Sequence, residues 1–388
     1  MNNLKEYATS RQLEYLQAID AHGSERKAAE ALGVSKSTIR SAVERVARKA
    51  TQRADAPDFG LTHPLPAGLK LKKASTYYDK DGEITGQWVS GVEDQERQEE
   101  MMAEVIKGFA SDLPRAKPTP APQHATSDIM TTYPVGDHHL GMLAWAEETL
   151  EENYDIDIAE DLLYRATDYL ISVSPPSEQG LIVFLGDFMH YDGMVPETPT
   201  SRNSLDADGR FPKMVRSAIK SMRYMIEKAL QHHKKLHVIV EIGNHDMSSS
   251  IMMMECLSNV YENEPRITID TSTAHYHYYR FGKVLIGSHH GHGRKPKDLP
   301  MVMAADRPED WGNSEFRFWL TGHIHHKEVT EVHGTEIESF RILAPGDAYA
   351  SHKGYRDRRQ MISIVYHKDL GEVERHIFNP QRLEKESK

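Results

Sequence analysis

Cysteine is almost absent from this 388-residue chain: Cys256 stands alone, so no internal disulfide can form, and a reducing cytoplasm is the expected compartment. Long apolar runs are missing too. No stretch reaches the roughly 20 residues that span a bilayer, and the opening Met1-Asn2-Asn3-Leu4-Lys5-Glu6 has no signal-peptide core, so neither a membrane span nor secretion is expected. Excess positive charge is also lacking. The net charge of −11 has the wrong sign for a broad basic groove that grips polyanions without selectivity. What remains is an ordinary globular composition, long enough for one large domain and a small one.

The charge is not evenly spread. Residues 1–53 hold ten Lys and Arg against six Asp and Glu, a balance of +4, which leaves −15 for the rest. Leu13, Leu16 and Ile19 predict a first helix; Ser24 can cap a second that turns Ala28, Ala29 and Leu32 inward. Gly33 suits the left-handed turn that follows, and Ser35 can cap a third helix with Ile39, Val43 and Val46 on its buried face. Its outer face carries Lys36, Ser37, Arg40, Ser41 and Arg45, with the acidic Glu44 among them. The Ala-Ala-x-x-Leu-Gly-Val-Ser pattern resembles a helix-turn-helix, so those five residues are the candidate DNA contacts. The plainer use of such a hairpin is packing or homodimer formation.

Residues 54–127 read as a connector. A β-hairpin is expected around Asp79-Lys80-Asp81-Gly82, then a polar helix from Glu93 to Phe109, then a mobile linker at 111–127 containing Pro114, Pro118, Pro120 and Pro122. Residues 128–388 form the large domain. There the run Leu181-Ile182-Val183-Phe184-Leu185 leads straight into Gly186-Asp187, as a doubly buried strand does when it delivers a carboxylate at its end. Four other apolar runs end in polar groups: Asp137-His138-His139, Gly243-Asn244-His245-Asp246, His289-His290-Gly291-His292 and Gly322-His323-Ile324-His325. Helical spacing at Ala159, Leu162, Leu163, Ala166 and Leu170, and again at Val215, Ile219, Met222, Ile226 and Leu230, separates the first three runs. Strands are expected at 267–269, 276–281, 328–332, 339–343 and 361–366, and the insertion 191–210 leaves the site as a candidate substrate loop.

Any one histidine among the 22 is more often a packing or surface residue than a ligand. Five ordered strand ends are a different matter. The series resembles the calcineurin-like metallophosphoesterases over residues 129–380, and that resemblance implies an α/β fold, a two-sheet αββα sandwich, to which the small all-α helix-turn-helix domain read from residues 1–53 is added. It implies that Asp137, His139 and His325 hold one metal, that Asn244, His290 and His323 hold a second, and that Asp187 bridges them. Two such ions neutralise phosphoryl oxygens and acidify a water, which is what a phosphate ester resists least. Mixed nitrogen and oxygen donors without thiolate suit manganese, with iron or zinc as alternatives. His290 is preferred over His289, and His139 over His138, on the family pattern alone. His245 is expected to protonate the leaving oxygen, with Asp246 orienting its ring.

The Arg that marks protein phosphatases after Gly-Asp is missing here. Gly186-Asp187-Phe188-Met189-His190 is instead similar to the matching motif of SbcD-like DNA repair nucleases, which implies a catalytic role for His190 and DNA as partner. The whole arrangement resembles phage-encoded DNA phosphoesterases, whose setting would be the host cytoplasm. Arg294, Lys295 and Lys297, and separately Lys353, Arg356, Arg358 and Arg359, are expected to meet flanking phosphates. Two alternatives stay open: a nucleotide phosphatase or cyclic-nucleotide phosphodiesterase with a dimerising N-terminus, and a DNA-binding regulator that senses a nucleotide.

Overall fold

The structure, a computed structural model, describes residues 5, 8–52, 69–78, 84–93 and 114–382. They divide into two compact units, Met1–Met102 and Ala103–Lys388. The first holds α1 (Ser10–His22), α2 (Glu25–Leu32), α3 (Lys36–Gln52), β1 (Leu69–Tyr78) and β2 (Ile84–Glu93). Thr9 and Gln12 close a capping box on α1, Ser24 caps α2, and Gly33 ends it at a φ of 64°, which a glycine adopts without a Cβ clash. Tyr15, Ile19, Ala28, Ala29, Ile39 and Ala42 pack into a small core. β1 and β2 pair antiparallel. The turn expected at 79–82 and the polar helix expected after Glu93 lie outside the described residues.

The second unit begins with a correction. The proline-rich stretch expected to be a mobile linker is docked from Pro114 onward: the Ala116 amide donates to Val260, the Thr119 amide to Glu264, and Arg266 reaches the Thr119 carbonyl. Proline leaves a chain few donors of its own, but the remaining amides and carbonyls still satisfy partners on a neighbouring surface. Then follow β3 (Thr126–Val135), α4 (Ala146–Thr149), α5 (Ile156–Val173), β4 (Ser177–Phe184), α6 (Phe211–His232), β5 (Lys235–Val240), α7 (Met247–Val260), β6 (Ile267–Ile269), β7 (His277–Phe281), β8 (Val284–His289), α8 (Leu299–Asp306), α9 (Pro308–Gly312), β9 (Phe316–Thr321), β10 (Glu328–Val332), β11 (Thr335–Ser339), α10 (Ala348–Lys353), β12 (Met361–His367) and β13 (Gly371–Phe378).

These strands form a six-stranded sheet, β13-β12-β3-β4-β5-β6, and a five-stranded sheet, β10-β11-β9-β8-β7. The centres of both are parallel: β3 with β4 and β4 with β5 in one, β8 with β9 in the other. Period-two alternation on β4 shows how the layers are glued. Ile182 and Phe184 enter the core shared with α5, α6 and α7, while Leu181, Val183 and Leu185 enter the core shared with Val284, Ile286 and Leu320 of the other sheet. On the far face of the second sheet, Leu285, Trp319 and Ile337 meet Leu299 and Met303 of α8. Helices, sheet, sheet and helix follow in that order, the α/β two-sheet arrangement the resemblance implies. Among the described residues no helix is long and apolar enough to cross a membrane.

Two strand expectations need correcting. The strand expected at 339–343 is β11, four residues earlier; Phe340, Ile342 and Leu343 are buried beyond its end, so their apolar run marks core, not ladder. β13 was missed because its mixed exposure and charged residues look like an edge, which it is.

Candidate active site

Parallel strands bring their carboxyl ends to one side, and five of them deliver polar groups there: β3, β4, β5, β8 and β9. The pairing continues past the strands. The His139 amide donates to the Asp187 carbonyl at 3.0 Å and the Leu140 amide to Phe188 at 2.8 Å, which clamps the first loop onto the second. The backbone then turns sharply. His139, Asp187, His323 and His325 sit at φ of 46°, 48°, 72° and 61°, a region that costs a non-glycine residue about 1–3 kcal/mol. Four of the seven expected ligands carry that strain.

Glycine supplies the room. A Cβ on Gly243 would run into the Asp187 carboxylate and amide, and one on Gly322 would run into the Asp137 carboxylate. These two positions require glycine for close approach, not for a turn.

The expected ligands gather into two groups whose donor atoms lie within 4.8 Å of one another: Asp137, His139 and His325, and Asp187, His290 and His323. In the first, His325 Nε2 stands 3.1 Å from Asp137 Oδ2 and 3.1 Å from His139 Nε2, while the His323 amide donates to both Asp137 oxygens. In the second, His290 Nε2 lies 2.9 Å from Asn244 Oδ1 and 3.2 Å from Asp187 Oδ2. Asp187 Oδ1 accepts the His245 amide at 2.7 Å.

The neighbouring histidines face different surroundings. His290 Nδ1 donates to the Leu185 carbonyl at 2.7 Å, which turns Nε2 toward Asn244 and Asp187. His289 points the other way, stacked on Tyr276 and accepting the Gly291 amide. His138 packs on Phe188 away from the cluster, with neither ring nitrogen hydrogen-bonded.

Electrostatics bear on whether a metal fits. Burial opposes a charge on Asp187, but His290 beside it holds the carboxyl well below the usual range. Burial likewise opposes charge on His290, yet Asp187 and Asp137 push it up to about 10. The carboxylates of Asp187 and Asp137 thus favour positive charge beside Asn244 and His290. In the first group, His139 and His325 aim two imidazole nitrogens at each other beside a carboxylate. Both groups suit divalent cations held by imidazole and carboxylate.

Roles in the third strand end differ from expectation. Asp246 does not orient His245. Its carboxylate accepts the amides of Asp187 and Met189 at 3.1 and 3.0 Å, so it fixes the backbone of the strained turn. Burial, and then the Asp187 charge, raise its pKa to about 7. His245 is oriented instead by the His190 carbonyl, to which its Nδ1 donates at 2.8 Å. His190 itself is 2% exposed, its Nδ1 lies 3.3 Å from His139 Nδ1, and its ring forms a third group with His139 and His245 whose donor atoms lie within 4.8 Å of one another. Sequence reasoning also missed Asp192, which caps α7 through the amides of Ser248 and Ser249 in place of the helix's own Asp246.

Among the basic groups, Arg359 is committed to the fold: it binds the Leu343 carbonyl and pairs with Glu152. Lys36, Ser37, Arg40, Ser41 and Arg45 are all exposed on α3, opposite buried Ile39, Ala42 and Val46.

No family model matches this chain, and no curated protein matches it. Solved structures do. A predicted phosphoesterase from Streptococcus pneumoniae is 12% identical, covers 65% of this chain and 98% of its own, and superposes with a TM-score of 0.25. Vps29 complexed with zinc from Entamoeba histolytica is 13% identical over 64% of this chain and 99% of its own, with a TM-score of 0.26. Vacuolar protein sorting 29 from Cryptosporidium parvum is 11% identical over 65% and 100%, with a TM-score of 0.30. Scores this low carry no weight in assigning the site. The donor geometry does.

Proposed function

We propose that this chain is a metal-dependent phosphodiesterase of the calcineurin-like metallophosphoesterase type that hydrolyses DNA, delivered to it by an N-terminal helix-turn-helix. The observation that carries the reading is the pair of adjacent histidine–carboxylate groups on the carboxyl ends of parallel strands in two stacked sheets. Asp137, His139 and His325 would hold one divalent ion and Asn244, His290 and His323 the other, with Asp187 between them and manganese the first choice of metal. Bound there, the pair of ions would neutralise phosphoryl oxygens and acidify a water.

The protein's own part is orientation and proton transfer. His245 Nε2 gives a proton to the leaving oxygen, its ring held by the His190 carbonyl. Asp246 keeps Asp187 in its strained turn through two backbone amides. On α3, Lys36, Ser37, Arg40, Ser41 and Arg45 form the DNA-facing side, three cations and two hydroxyls free of the buried face.

The test is the purified protein with manganese, assayed side by side on linear duplex DNA, circular single-stranded DNA and bis-nitrophenyl phosphate. Cleavage of the small diester and at least one DNA is expected. Hydrolysis of nucleoside monophosphates with both DNAs left intact would overturn the DNA reading, and inactivity on every ester would overturn the enzyme.

A further inference from the structure

A cavity of about 160 Å³ opens beside Gly291 and Gly322, the residues adjoining His290 and His323. Leu299, Ile324 and Ile337 give it apolar walls, and Arg294, Glu328 and Thr330 also line it. An apolar space of about 150 Å³ takes one benzene-sized ring, whereas pockets for whole drug-sized ligands run to roughly 300–1,000 Å³. Size therefore admits a single ring and excludes a complete nucleotide.

The segment that forms one wall carries three exposed cations, Arg294, Lys295 and Lys297. None has an ion-pair partner among the described residues. His292, on the same segment, stacks on His289 and lies with its ring centre 5.2 Å from that of His290, and its Nδ1 is buried without a hydrogen bond. A small, mainly apolar cavity with donors and an acceptor around it, next to exposed positive charge, suits a ring attached to an anion. A nucleotide has that chemistry.

Resting on the phosphodiesterase reading above, we propose that this cavity receives the base of the nucleotide adjoining the scissile phosphate, with Arg294 meeting the phosphate that follows. The base stacks against Leu299, Ile324 and Ile337, and its polar edge faces Thr330 and Glu328. The enzyme then grips its substrate on one side of the reacting bond, and a single pyrimidine fits better than a purine.

Titration calorimetry on the manganese-loaded protein tests this with two probes, thymidine 5′-monophosphate and deoxyribose 5-phosphate, in which a hydroxyl replaces the base. Burying one ring makes the nucleotide bind about tenfold tighter or more. Thr330→Phe fills the cavity and should erase that preference while the sugar phosphate still binds; Ile324→Phe, at a position 37% exposed, repeats the block should the first variant fail to fold. Arg294→Ala should weaken both probes. Equal affinity of the wild type for the two probes, or a preference that survives both filling variants, overturns the proposal. Manganese-dependent hydrolysis of methyl nitrophenyl phosphate, which has no base, keeps the two readings apart. If it proceeds while the base adds no affinity, only the cavity assignment falls. If it fails while the base preference holds, the nucleotide site stands and the phosphodiesterase reading falls.

Discussion

The strand ends of the larger unit and the outer face of α3 carry polar residues in opposite ways. At the strand ends Asp137, His139, Asp187 and His290 are buried, and four candidate ligands sit in strained backbone. On α3 the polar residues are exposed on an unremarkable helix whose core-facing side does all the packing. Burying and straining polar groups lowers stability unless hydrogen bonds, ion pairs or a bound ligand compensate for it. An exposed cation costs the fold nothing. The first region therefore has its chemistry written into its geometry, while the second has only charge and spacing to declare it.

Removing a group from the strand ends should have the largest effect. His245→Ala is expected to keep its metal but lose turnover by about 10²–10⁴-fold, the usual cost of deleting an acid or charge stabiliser. Steady-state kinetics with elemental analysis check it, and a parallel fall in metal content would make His245 a ligand instead. The interior of the sandwich gives a middle-sized effect. His277 Nδ1 pairs with Glu241 at 3.0 Å across the two sheets, and Ser288 joins the same carboxylate. Burial opposes its charge, but the Glu241 hydrogen bond and charge outweigh that and raise its pKa from 6.5 to about 9. A raised folded pKa means the stabilisation is complete below pH 6.5 and fades as pH climbs to about 9, at most about 3 kcal/mol. Chemical denaturation should show His277→Gln far less stable than wild type at pH 6, with the gap closing toward pH 9. A gap independent of pH would mean that the pair does not titrate as stated.

The surface of α3 should give the smallest effect and the cleanest contrast. Arg40→Ala with Arg45→Ala should leave stability and small-diester hydrolysis unchanged. The salt dependence of DNA binding should flatten by a slope of about 2, since each phosphate contact contributes roughly 0.9. Equal binding by wild type and double variant at every salt concentration would make the N-terminal helices a packing or dimerising module.

The same contrast explains what could be read from the chain. Leu181 to Asp187 announces a doubly buried strand with a carboxylate at its end, because hydrophobic burial and strand period act locally. The glycines before Asp187, Asn244 and His323 were legible as motifs, and their reason is spatial: Gly243 and Gly322 face carboxylates far away in sequence. Contacts of that range leave no period behind. The docking of Thr119 on Glu264 and Arg266 and the capping of α7 by Asp192 belong to the same class. So does the exchange of roles in which the His190 carbonyl, not Asp246, orients His245. That His290 and not His289 faces Asn244 and Asp187 needed the strand's pleat, since the two side chains are chemically the same.

Metal stoichiometry tests the central claim most directly. Elemental analysis of protein loaded with manganese and freed of excess should give two ions per chain, falling in Asp187→Asn together with diesterase activity, because that carboxylate is the charge between the two groups. One ion or none in a fully active enzyme, or two ions retained in an active Asp187→Asn, would contradict it.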